Sequence, residues 1–131
     1  MELNNNSMSF AWGKENEKGL KLDIDFKEGK SNTKFSLNKS FCGWADVIHG
    51  GIIATILDEV MAWSVISLDK RVVTAEMNIK YKKPLYSNTE YKAFGEIIEN
   101  KKRVFKTYGK IVDTNGKILA ESYGTYMAFK G

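Results

Sequence analysis

The stretch that most limits what this chain can become is 51–68, Gly-Ile-Ile-Ala-Thr-Ile-Leu-Asp-Glu-Val-Met-Ala-Trp-Ser-Val-Ile-Ser-Leu. Its apolar residues crowd nearly the whole circumference of a helix of about five turns. A helix of that kind has to be covered by other structure rather than laid on a surface. The run approaches bilayer-spanning length, but Asp58 and Glu59 stand at its centre, where charge is expensive, so a buried helix of a soluble domain is the better reading. A carboxylate on an apolar helix is costly unless it is paired or titrated. Packing alone therefore does not account for these two acids.

The remaining sequence offers the cover. Leu20, Leu22, Ile24 and Phe26 alternate with polar residues as in a half-buried strand, and Phe35, Leu37 and Phe41 suggest a second, with 29–33 as the turn between them. After the helix, 71–81, 90–99, 103–113 and 117–129 are strand-like, and Asn115-Gly116 marks a tight hairpin between the last two. Pro84, the only proline, closes the strand before it. At 131 residues the chain suits one core, burying roughly two-thirds of its unfolded surface. Residues 1–19 read as a polar leader and 20–131 as a single domain; no repeat or interdomain linker interrupts it. The leader lacks the basic flank and apolar core of a secretory signal. One cysteine, Cys42, offers no disulfide framework, so the cytosol is the expected compartment. With one histidine besides and no clustered ligand spacing, no metal is expected.

The formal charge of +4 is a small excess, gathered at Lys80, Lys82, Lys83 and at Lys101, Lys102, Arg103. Solvated strand faces account for most such clusters; a phosphate-bearing small ligand is the next reading, and a nucleic acid trails it.

Three features belong together: His49-Gly50-Gly51 opening the helix, Asp58 nine residues beyond the histidine, and Val73-Thr74-Ala75-Glu76-Met77-Asn78-Ile79-Lys80-Tyr81-Lys82-Lys83-Pro84-Leu85. In this combination the chain resembles the acyl-CoA thioesterases of the phenylacetate-pathway type, from about Phe41 to Phe129. The resemblance implies an α+β hotdog fold, in which one long helix is gripped by a curved antiparallel sheet. It implies hydrolysis of an acyl-CoA, or of an acyl-carrier thioester, to a carboxylic acid and a free thiol, with coenzyme A as part of the substrate and no separate cofactor. It places the carbonyl-polarising N–H at Gly50, beside Gly51 at a helix N-terminus whose amides are unpaired. It assigns Asp58 as general base or nucleophile and Thr74 as the residue holding the attacking water. Sites of this fold lie between subunits, which implies a homodimer or homotetramer.

Several readings stay open. His49 has an orienting role at the loop or a direct one toward the substrate's sulfur side. Glu59 points about 100° away from Asp58 around the axis, and an ion pair or hydrogen bond at a subunit boundary suits it better than catalysis. Lys82, Lys83 and Lys101, Lys102 and Arg103 are candidate contacts for coenzyme A phosphates. One departure stands out: many such enzymes carry an amide side chain six or seven residues before the histidine, where this chain has Gly43 and Cys42. A non-catalytic acyl-CoA sensor with the same groove is therefore the alternative, and a hotdog dehydratase a poorer third.

Overall fold

A computed structural model describes residues 19–129; apart from Gly19, the expected leader lies outside the described residues. Nine elements follow one another: β1 (Asp25–Lys27), β2 (Lys30–Phe35), β3 (Cys42–Trp44), β4 (Val47–Ile48), α1 (Gly50–Ile66), β5 (Arg71–Tyr81), β6 (Tyr91–Lys101), β7 (Val104–Val112) and β8 (Ile118–Phe129). A single 3-10 turn, Lys39–Phe41, precedes β3. Six strands form one antiparallel sheet in the order β1-β2-β6-β7-β8-β5, and β3 and β4 form a small hairpin of their own. This is the hotdog arrangement that the resemblance implies, one helix lying in the curve of an antiparallel sheet.

The helix sits close to the sheet because the strands beneath it carry glycine. A Cβ at Gly95 would stand 2.1 Å from the Val60 carbonyl oxygen, and one at Gly109 would stand 2.9 Å from Cγ of Met61. Gly95 and Gly109 are register partners, and Gly124 on β8 would likewise crowd the Met61 thioether. Side-chain-free positions on three neighbouring strands thus form a trough for α1. Ile56, Leu57, Val60, Met61 and Val65 fill it and meet Phe105, Ile111 and Tyr126 from the sheet in one core.

The helix begins at Gly50, one residue earlier than the apolar run, and ends at Ile66. Its cover is one-sided: Ile52, Ala62, Trp63 and Ile66 remain only half-buried. The first strands also depart from expectation. Leu20 and Leu22 are buried but not in a strand, the turn falls at Glu28-Gly29 rather than over 29–33, and β2 starts at Lys30. The cause is chemical. The inward positions of β2 are Ser31, Thr33 and Phe35, and two of these are hydroxyl residues that an apolar alternation does not register. Ser31 Oγ donates to the Val60 carbonyl and Thr33 Oγ1 to the Asp23 carbonyl at 2.7 Å, so their burial costs little. The β3–β4 hairpin, over Cys42 to Ile48, has no counterpart in the expected element order.

Candidate functional site

The turn into α1 is held from both sides. The His49 N–H donates to the Phe41 carbonyl at 3.0 Å, and next door Ile48 donates to the Leu85 carbonyl at 2.8 Å. Extended backbone at His49 (φ −59, ψ 135) then makes it the N-cap residue. Its ring supplies the cap, since Nδ1 accepts from the Gly51 N–H at 2.8 Å. A ring nitrogen that accepts carries no proton, so a neutral His49 presents its N–H at Nε2. The Gly51 amide is thereby occupied. Among the described residues no acceptor reaches the Gly50 N–H, which is left as the open donor at the positive end of the helix. From the other side Tyr81, on β5, donates its hydroxyl to the Gly50 carbonyl at 2.9 Å and fixes the glycine against the sheet. An open groove of about 850 Å³ runs from His49, Gly51 and Ile52 along Leu37, Phe41 and Leu20.

Asp58 lies two turns further into the helix and is half-buried. Thr74 Oγ1, from the strand that follows the helix, donates to its Oδ1 at 2.8 Å. The Tyr126 hydroxyl, from β8, donates to the same oxygen at 2.5 Å and lies 3.1 Å from the Asp58 backbone carbonyl. Sheet register brings the two donors together: Thr74 and Tyr126 are directly opposed across β5 and β8, so their side chains leave the sheet on the same face. Immediately afterwards a bulge at Ala75 shifts the pairing to Glu76 with Thr125. No donor among the described residues reaches Asp58 Oδ2. Burial, followed by the Asp58 charge, raises the Tyr126 phenol well above its ordinary range, so it stays a donor.

Glu59 does not share this cluster. Burial first, and then the neighbouring Asp58 charge, raise its carboxyl to about 7, while the Trp63 indole one turn on pulls it part of the way back.

The structure separates the two basic clusters. Lys82 and Lys83 follow the β5 end nearest Gly50, where both amides donate to the Leu119 carbonyl, at 2.8 and 3.0 Å. Lys82 Nζ is already paired with Glu121 at 2.9 Å. Lys101 ends β6, and Lys102 and Arg103 form the β6–β7 turn at the far end of the sheet, the Arg103 carbonyl accepting from Ala128 at 2.8 Å. A strand of eleven residues, on the order of 35 Å, divides them, so one chain does not bring both to one phosphate group. Cys42 and Gly43 lie in β3, and Cys42 lines the groove with His49. Of the residues in contact with Asp58, Tyr126 is the one that sequence reasoning missed, since a tyrosine in an apolar strand reads as core. Among the described residues no group of three or more His, Cys, Asp or Glu is placed to hold a metal, and no helix is long and apolar enough to cross a membrane.

Known proteins share this fold. The family model for the thioesterase superfamily matches residues 45–120. A candidate esterase of Saccharolobus solfataricus is 26% identical over 114 residues, 83% of this chain and 75% of that protein. A hypothetical thioesterase of Streptococcus pneumoniae solved with coenzyme A is 20% identical, with a TM-score of 0.78 over 82% of this chain and 85% of that one. A hypothetical thioesterase from that organism has also been solved with a Thr→Ala and, separately, an Asp→Ala substitution. The PaaI protein from the phenylacetic acid degradation operon of E. coli is 20% identical, with a TM-score of 0.79 over 86% of this chain and 82% of that one. At such identities the structural likeness speaks for the fold.

Proposed function

The chain belongs to the thioesterase superfamily, a family of thioester hydrolases, and from that premise we propose that it hydrolyses an acyl-CoA to a carboxylic acid and free coenzyme A. The observation that carries this reading is the state of Asp58: one carboxylate oxygen is held by Thr74 and Tyr126, and no donor among the described residues reaches the other. In the proposed reaction the second oxygen takes a proton from water as the water oxygen bonds to the thioester carbon, or attacks that carbon itself, giving on loss of the thiolate an acyl–Asp58 anhydride that water then hydrolyses to the acid. The negative charge that grows on the carbonyl oxygen is met by the Gly50 N–H, a donor that needs no titration and no reorganisation. Collapse breaks the C–S bond, and the thiolate leaves as free coenzyme A after protonation. Thr74 spends its own proton on Asp58, so toward the attacking water it serves as an acceptor. The Nε2–H of His49 is the donor available to the sulfur side.

Helix geometry supports a site shared between chains. Asp58 is eight residues beyond Gly50, roughly 12 Å along the axis, whereas a carbonyl donor and an attacking group each work at about 3 Å. The two residues of one chain are too far apart to reach one carbonyl directly. β5, which carries Thr74, is a sheet edge with Val73 exposed, and a second copy paired there would cover it while bringing a second helix alongside. The proposed catalytic unit is therefore a homodimer or a larger homo-oligomer. Lys83 and the 101–103 turn are the proposed contacts for coenzyme A phosphates; Lys82 joins them only by exchanging Glu121 for phosphate.

The test is release of free thiol from a panel of short, long and aromatic acyl-CoAs. Asp58→Asn is expected to keep acyl-CoA binding and lose roughly 10²-fold or more in kcat. Tight binding with no hydrolysis anywhere on the panel would replace this reading with the sensor. That alternative draws on Cys42 and Gly43 standing where many relatives carry an amide.

A further inference from the structure

We infer that Tyr126 is a positioning residue for the reacting carboxylate, fixing which oxygen of Asp58 is free to act; this rests on the thioesterase reading of the same site. A buried tyrosine needs one hydrogen-bond acceptor, and the Asp58 backbone carbonyl, at 3.1 Å, would meet that need. The shorter bond goes elsewhere, to the carboxylate Oδ1 at 2.5 Å. Thr74 donates to that oxygen as well, at 2.8 Å. Two donors from two strands converge on one oxygen, and the carboxylate plane is set by both. With the threonine alone, the side chain keeps freedom to swing about a single contact.

The surroundings show a built site. Tyr126 is completely buried, so its ring has no alternative position to visit. A Cβ at Gly124, two residues back on the same face of β8, would stand 2.9 Å from the ring at Cε1, so glycine there makes room for the aromatic ring. Register with Thr74 places both hydroxyls over the same turn of α1. A phenol held protonated by burial can serve only as a donor to the carboxylate, which makes it a fixed post rather than an acid or base in the reaction.

Tyr126→Phe keeps the ring and removes the hydroxyl. Its thermal midpoint should stay within a few degrees of the parent, KM for the best acyl-CoA within about twofold, and kcat should fall roughly 10- to 100-fold. In an Asp58→Asn background the same change should cost nothing further, because the post would have no carboxylate to hold. An unchanged kcat, or an equal loss in both backgrounds, would overturn the assignment. Crystal structures of the parent and Tyr126→Phe give a readout without turnover: the Asp58 carboxylate should leave its parent rotamer in the variant. A carboxylate that stays in place refutes the proposal even if no acyl-CoA proves to be a substrate, whereas a parent without hydrolysis but with a displaced variant carboxylate refutes only the thioesterase reading.

Discussion

At the scale of single residues, the adjacent acids of α1 turn out to have opposite solutions to the cost of sitting on an apolar helix. Asp58 is paired by hydroxyl donors, while Glu59 is titrated: burial and the Asp58 charge lift its carboxyl to about 7. A carboxyl raised above its unfolded value of 4.5 binds its proton more tightly in the folded chain. Its contribution is complete below pH 4.5, is lost as the pH rises through about 7, and is absent above that. Glu59→Gln cannot ionise, so it should be more stable than the parent at pH 8, by up to about 3 kcal/mol, and nearly equal to it at pH 4.5. Denaturant melts at the two pH values and one protein concentration check this; a parent and variant separated by the same amount at both would show that Glu59 is not the titrating group. The catalytic candidates were legible because His49-Gly50-Gly51 and Asp58 sit at fixed intervals along one helix, where sequence distance converts directly to space. Tyr126 was not, because its meeting with Asp58 spans 68 positions and depends on a register that the Ala75 bulge shifts by one.

Among the elements, the helix was readable from composition and the trough that receives it was not. Apolar density over 51–68 announces a buried helix, yet nothing in a single glycine in each of three strands says that they will line up. Gly95 makes the closest approach, and the Val60 carbonyl facing it already accepts from Ser31, so that peptide is pinned by both β2 and β6. Gly95→Ala is expected to push α1 off the sheet and cost about 3 kcal/mol, the upper part of the range for overpacking a core. For a domain of this size that corresponds to a fall of roughly 10 °C in Tm. A Tm within 2 °C of the parent, roughly half a kcal/mol, would mean that the helix can shift without loss and that the trough is not what fixes it. The same logic explains why β2 was misplaced: the strand is written in Ser31 and Thr33, whose burial depends on carbonyls supplied by distant elements.

Over the whole molecule, the decisive fact is that α1 carries both halves of the proposed chemistry at positions one chain cannot bring together. If Gly50 of one protomer serves the substrate that Asp58 of another attacks, two differently disabled chains should repair each other. Gly50→Pro is a clean way to remove the donor. Proline is favoured at the first position of a helix, His49 already holds the extended backbone that must precede it, and a Cβ at Gly50 meets the Tyr81 ring at an ordinary 3.7 Å. The variant should fold and lose roughly 10²- to 10³-fold in kcat, the usual loss for one oxyanion donor. Asp58→Asn should be similarly impaired. Unfolded together in equal amounts and refolded, the two should recover roughly a quarter of the parent activity, because about half of the dimers are mixed and each mixed dimer holds one intact site of two. Light scattering on the same sample reports whether a dimer or larger assembly has formed. Recovery in that sample, absent when the two proteins are refolded separately, would place the site between chains. Dimers that form and stay inactive would assign both residues to one chain and require α1 to reach the thioester some other way.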